Sequence, residues 1–196
     1  MAQPSTLAQY LPPVHQGRAS IDLRRVASSN TEMAKKNKIA IFAAGCFWGV
    51  ESAFRQVPGV ADVTVGYAGG TVPNPSYRAV CTGKTGHAEV VQVEYDPARV
   101  SYQQLLEVFW DIHDPTTLNR QGPDVGTQYR SIIFYSDDND RIAAEQSKRQ
   151  LDESGKLTRP VVTQIAPAAE FYRAEEHHQR YYERRGIAPS CAIRSS

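Results

Sequence analysis

Ile39-Ala40-Ile41-Phe42-Ala43-Ala44 runs without a break into Gly45-Cys46-Phe47-Trp48-Gly49-Val50-Glu51, and this junction decides the fold. The apolar run is too short to cross a membrane and too continuous for a half-exposed strand, so it reads as a central strand with both faces covered. Beyond Gly45, Phe47, Val50, Ala53, Phe54 and Val57 recur at three-and-four spacing until Pro58-Gly59, which predicts a helix. Cys46 therefore sits at a helix N-terminus, where unpaired N–H groups and the macrodipole favour negative charge. A free thiol ionises near pH ~8.5, and such a position is expected to lower that by about one to several units, giving a nucleophile at neutral pH. A small buried hydrophobe fits the same spacing. Phe47 and Trp48 likewise read either as core or as the walls of a pocket.

Outward from this junction, 60–66 alternates as a strand and leads into a loop rich in Gly and Pro, 67–75, that lets backbone approach a ligand. Tyr77 opens a short helix carrying Cys81, which reads as a packed thiol. In the strand 87–95, residues 87, 89, 91 and 93 share a face, so Glu89 lies beside Val91 and Val93. A carboxylate there is either paired, with Arg78 or Arg130, or raises its pKa and keeps a proton. Ser101 caps an amphipathic helix to Trp110, and His113 is expected to cap its far end. A polar loop at 116–127, a strand at 130–135, a charged surface helix at 138–151, a last strand at 161–165 and a helical segment at 171–185 complete the pattern. Adjacent histidines on a helix face different ways, so Glu175-Glu176-His177-His178 reads as solvated or capping rather than metal-binding.

The order strand-helix-strand-strand-helix-strand predicts an α+β fold, a two-layer sandwich with helices on one face of a mixed sheet and a ferredoxin-like core. Residues 1–36, with scattered Pro, Ser and basic pairs, read as a flexible N-terminal arm, 37–185 as the catalytic domain, and 186–196 as a mobile tail. Cys191 lies in that tail, and an exposed thiol on a mobile segment can reach a buried one without unfolding the core.

With 196 residues the chain is long enough for one well-buried core, and one domain plus tails is expected. Lys+Arg at 22 against Asp+Glu at 21 leaves a net charge of +1, which gives no electrostatic reason to expect nucleic acid or a membrane as partner. A neutral ligand suits it. Three cysteines with no Cys-x-x-Cys point away from a disulfide framework or a zinc knuckle and towards a reducing, cytoplasmic setting, with no metal expected.

The stretch 45–51 resembles the signature of the A-type peptide methionine sulfoxide reductases. Gly66-Tyr67-Ala68-Gly69-Gly70, Pro73-Asn74-Pro75-Ser76-Tyr77, Thr85-Gly86-His87-Ala88-Glu89, His113-Asp114-Pro115 and Asp124-Val125-Gly126-Thr127-Gln128-Tyr129-Arg130 resemble that family's blocks in the same order. The resemblance implies that Cys46 attacks the sulfoxide sulfur, that Glu89 supplies the proton, and that Tyr77 and Tyr129 donate to the oxygen. Asp124 would help position the substrate, and Phe47 and Trp48 would clasp the methyl group and select one epimer. Cys46 would become a sulfenic acid, resolved by Cys191 as a disulfide that thioredoxin opens. No bound cofactor is implied. The substrates would be oxidised proteins and peptides, with free methionine sulfoxide a further candidate, and the enzyme would be a monomer serving the repair of oxidative damage.

Two other classes fit the cysteine alone. A cysteine hydrolase would need an imidazole beside the sulfur, from His87 or His113. A redox sensor would use oxidation of Cys46 as its signal.

Overall fold

The computed structural model describes residues 37–187. Strand β1, Lys38–Ala44, is followed by helix α1, Phe47–Arg55; β2, Val60–Ala68; the short α2, Tyr77–Cys81; β3, Ala88–Tyr95; and α3, Tyr102–Asp111. Then come a small hairpin, β4 at Arg120–Gln121 and β5 at Asp124–Val125; β6, Ser131–Tyr135; α4, Asp138–Glu153; β7, Gln164–Pro167; β8, Tyr172–Arg173; and α5, Tyr181–Arg184.

The main sheet has the order β7-β6-β1-β3-β2-β8, so the apolar run of β1 lies in the interior as predicted. It pairs antiparallel with β3, Phe42 opposite Val91, and with β6, Ile41 opposite Phe134. The four strands β6-β1-β3-β2, joined through α1 and α3, have the βαββαβ connectivity of a ferredoxin-like core. The parallel pairing of β7 with β6 makes the sheet mixed.

Helices α1 and α3 cover one face, where Phe42 is fully buried against Phe54 at 5.2 Å and Phe109 at 5.4 Å between ring centroids. Phe42→Ala would cost about 3–5 kcal/mol through lost transfer energy and the cavity left behind. On the other face Ile41, Ala43, Val90 and Phe134 are covered by Ala166, Ala169 and Phe171, which are not helical. This second cover buries Ala88 and Val90, so β3 is enclosed on both sides in its first half rather than on one. Ser101 caps α3 as expected, within a full capping box. His113 caps its end: Nδ1 lies 2.6 Å from the Phe109 carbonyl and Nε2 2.7 Å from Ser131 Oγ.

Two stretches depart from the sequence reading. The last long strand begins at Gln164, because Val161 is drawn into the core and Val161 N–H bonds Asp152 instead of pairing in the sheet. The stretch 171–185 is not one helix: β8 adds to the edge of β2, a single 3-10 turn at Glu176–His178 follows, and only four residues of α5 are helical. Tertiary contacts override its helical periodicity. Gln179 takes the N–H of Val65 at 3.0 Å and donates to the carbonyls of Val65 and Ala174, fastening this strap to β2.

Candidate active site

Gly45 makes the turn from β1 to α1 with φ +93°, and a Cβ there would stand 2.7 Å from the Gln121 side chain, so only glycine lets the β4–β5 hairpin close on the junction. Gln121 is itself held by Asp114, donating to its carbonyl at 2.6 Å and accepting its N–H at 3.0 Å. The His113-Asp114-Pro115 block thus fixes the hairpin that carries Asp124.

Cys46 occupies the N-cap of α1, half-buried. Its sulfur makes no bond of capping geometry, although the N–H groups of Trp48 and Gly49 lie close enough to favour the thiolate. They do not prevail. Burial, then the neighbouring Glu89 and to a lesser degree Asp124, push the thiol up to about 12. The expected lowering is therefore reversed, because the helix end that stabilises the anion is buried beside a carboxylate.

Glu89 is that carboxylate, on the helix-covered face beside Val91 and Val93 and 1% exposed. No Lys or Arg among the described residues pairs with it. Arg130 instead donates to the carbonyls of Thr127 and Gly86. Burial raises its pKa to about 7, partly offset by the Phe47 N–H that Oε2 accepts at 3.0 Å and assisted by Asp124. A charge on Glu89 thus opposes a thiolate on Cys46.

Tyr77 and Tyr129 both feel the Glu89 charge, and Tyr129 also feels Asp124 and Cys46. Burial first raises both phenols, then at Tyr77 the hydrogen bond to Cys81 and the Glu89 charge, and at Tyr129 Glu89 and Asp124, which take Tyr129 to about 12, so they remain hydrogen-bond donors. The structure therefore gathers Cys46, Glu89, Tyr77, Tyr129 and Asp124 at one place. Phe47, 1% exposed, forms the floor, its ring 6.4 Å from that of Tyr77. Trp48 stands beside it, stacked at 3.8 Å on Tyr181, with its N–H donated to His178 Nδ1 at 3.2 Å. Cys191 lies outside the described residues. Cys81 is exposed rather than packed, because α2 turns that side outward, and the Tyr77 hydroxyl bonds to its sulfur.

The imidazoles that a hydrolase would need are engaged elsewhere. His87 Nδ1 accepts the Gly70 N–H at 3.1 Å and Nε2 meets the Val72 carbonyl at 2.8 Å, holding the glycine-rich loop. Any side chain at Gly70 would strike the His87 backbone at 2.4 Å. His113 is committed to Phe109 and Ser131.

Sequence reasoning missed Glu175 and His178. Neither is simply solvated: Glu175 accepts the Tyr67 hydroxyl and the Tyr77 N–H, each at 2.8 Å, and His178 is buried with its ring 4.4 Å from that of Tyr77. The rings of His177 and His178 lie 4.1 Å apart, since a 3-10 turn does not separate them as a long helix would. Among the described residues no group of three or more His, Cys, Asp or Glu could hold a metal ion, and no helix is long and apolar enough to cross a membrane. The only local hint in the sequence is the density of aromatic residues flanking the strap, Phe171, Tyr172, Tyr181 and Tyr182.

A family model described as peptide methionine sulfoxide reductase matches residues 38–196. The chain is 63% identical over 147 residues to a peptide methionine sulfoxide reductase MsrA of Methanoculleus marisnigri, covering 75% of this chain and 90% of that one. Against the MsrA of Acidobacterium capsulatum the identity is 56% over 154 residues, covering 79% and 98%. Among solved structures, Mxr1 from Saccharomyces cerevisiae in reduced form superposes with a TM-score of 0.74 at 39% identity, covering 81% and 91% of the two chains. Mxr1 in complex with Trx2 gives 0.54 at 31% identity, covering 76% and 86%.

Proposed function

The chain belongs to the peptide methionine sulfoxide reductase family of oxidoreductases, and from that premise we propose that it reduces the S epimer of methionine sulfoxide in proteins and peptides through a sulfenic acid on Cys46. The observation that carries this reading is a buried carboxyl, Glu89, held at about 7 beside the half-buried Cys46.

A sulfoxide oxygen is a strong acceptor, and the sulfur becomes electrophilic once that oxygen is protonated. Tyr77 and Tyr129 donate to the oxygen as neutral phenols, and protonated Glu89 completes the set of donors. As Glu89 holds the proton, its repulsion of Cys46 disappears, which lowers the cost of a thiolate that the N–H groups at the start of α1 help to stabilise against burial. The Cys46 sulfur attacks the substrate sulfur while Glu89 protonates the oxygen. A second proton, from solvent, lets the S–O bond break and the oxygen leave as water; water then attacks the Cys46 sulfur, the new S–S bond breaks, methionine leaves as the thioether, and Cys46 is left as a sulfenic acid. Phe47 and Trp48 take the methyl group and choose the epimer, and Asp124 orients the substrate by hydrogen bonds.

Cys191 condenses with the sulfenic acid, releasing water and leaving a 46–191 disulfide, which a thioredoxin dithiol reduces. The Mxr1 complex with Trx2 supports a thioredoxin as the reductant. In this reading the relay runs from Cys46 to Cys191 and from there to thioredoxin. In this reading 1–36 is an arm, 37–185 the catalytic domain and 186–196 the tail bearing the resolving thiol. The enzyme works as a monomer in the cytoplasm, without bound cofactor, in the repair of oxidised proteins.

The test is a single turnover without reductant on a peptide carrying S-methionine sulfoxide. One methionine per chain with two thiols lost and a 46–191 linked peptide by mass is expected. Linkage of Cys46 to Cys81 would remove Cys191 from the mechanism. No methionine from a chain whose Cys46 still alkylates would overturn the reductase reading.

A further inference from the structure

The five-residue helix α2 is too short to hold its place by its own hydrogen bonds, so its position must come from tertiary contacts. Ser76 caps it by taking the Ala79 N–H, which leaves the N–H of Tyr77 free of any partner within the helix. That donor goes to Glu175 Oε1 at 2.8 Å, and Oε2 of the same carboxylate accepts the hydroxyl of Tyr67 at 2.8 Å. Tyr67 is fully buried on β2, its ring 5.9 Å from Phe47. One carboxylate therefore joins the backbone of Tyr77 to the buried interior of the main sheet. We infer that Glu175 is a positioning residue: it ties Tyr77 to Tyr67 of the sheet and so fixes where the Tyr77 hydroxyl stands in the site that holds Glu89 and Tyr129. This rests on the proposed role of Tyr77 as a donor to the sulfoxide oxygen.

The chemistry suits the task. Burial acts against the Glu175 charge, but the N–H groups of Tyr77 and of Glu175 itself, the Tyr67 hydroxyl and His178 together outweigh it and hold its carboxyl below the usual range, so the group accepts rather than donates. Three residues on, the His178 ring rests on Tyr77 and accepts the Trp48 N–H, so the same turn steadies both walls of the site. Displacing a reacting group by about 1 Å costs up to about a hundredfold in rate, which is the scale open to Glu175.

The decisive experiment measures kcat and KM for the S-sulfoxide peptide with thioredoxin in two backgrounds. In Tyr129→Phe, where Tyr77 is the remaining phenol, Glu175→Ala should lower kcat by about tenfold with KM within about twofold. In Tyr77→Phe the same change should cost less than about twofold, because no hydroxyl is left to misplace. Glu175→Gln should recover most of the loss, its amide oxygen taking the Tyr77 N–H and its amide N–H meeting the Tyr67 oxygen. Tyr67→Phe, which removes only the anchor on the sheet, should reproduce a smaller loss in the Tyr129→Phe background alone, and it serves where Glu175→Ala fails to fold. Equal losses of kcat in both backgrounds would overturn the inference, leaving Glu175 a support of the fold. A Tyr77→Phe/Tyr129→Phe chain that turns over like the parent would instead remove the phenols from the reaction, and the inference with them.

Discussion

Two helices of this protein start in opposite ways. At α3, Ser101 Oγ accepts the Gln104 N–H at 3.2 Å and Gln104 Oε1 accepts the Ser101 N–H at 2.9 Å, so the helix end is satisfied by its own sequence. At α1 the N-cap is Cys46, whose sulfur makes no such bond, and the first N–H of the helix goes to Glu89 from a distant strand. The first start serves stability. The second leaves its donors to a thiol and a carboxyl at one place, which is what a nucleophile and an acid at one site require. A helix end thus becomes chemical when its local partners are withheld.

Four measurements sharpen or break this contrast. Cys46→Ser should abolish sulfoxide reduction while adding about 0.5–1 kcal/mol to stability, since serine supplies the missing cap; turnover by this variant would break the comparison at once. Glu89→Gln should lower kcat/KM by about 10²–10³. The parent enzyme should lose kcat/KM as pH rises through about 7, where Glu89 releases its proton, and the variant should lack that limb. Stability should follow the same group. Glu89 binds its proton more tightly folded, at about 7, than unfolded, at the ordinary 4.5, so its contribution is complete below pH 4.5 and is lost as pH rises through 7. That difference corresponds to about 3 kcal/mol, and the Tm of the parent should fall between pH 4.5 and 8 by more than that of Glu89→Gln. The smallest effect belongs to α3: Ser101→Ala should cost about 1 kcal/mol in urea unfolding and leave turnover unchanged, and a loss of activity there would show that the two helix starts are coupled.

Much of the frame was legible because it depends on local pattern. The continuous apolar run of β1, the three-and-four spacing of α1, the Ser-x-x-Gln of α3 and the face shared by Glu89, Val91 and Val93 are short-range signals, and each element lies within a few residues of its reading. The strap at 171–185 was misread because its helical periodicity is weaker than its contacts: Gln179 binds β2, and Glu175 answers Tyr67 and Tyr77 from 108 and 98 residues away. Its polar residues read as solvent-facing because the donors that bury them lie in other blocks of the chain.

What the sequence by itself determined is which groups are available: a cysteine at the start of a helix, a carboxyl on an apolar face, two tyrosines after glycine-rich turns. Only the tertiary structure decided their ionisation. Proximity to the helix N–H groups promised a low thiol pKa, whereas burial and the Glu89 charge push Cys46 up to about 12 and leave the acid at about 7. The reason is physical: the N–H donors of α1 follow from a few adjacent residues, but desolvation and the field of a carboxylate depend on what the rest of the chain packs around them.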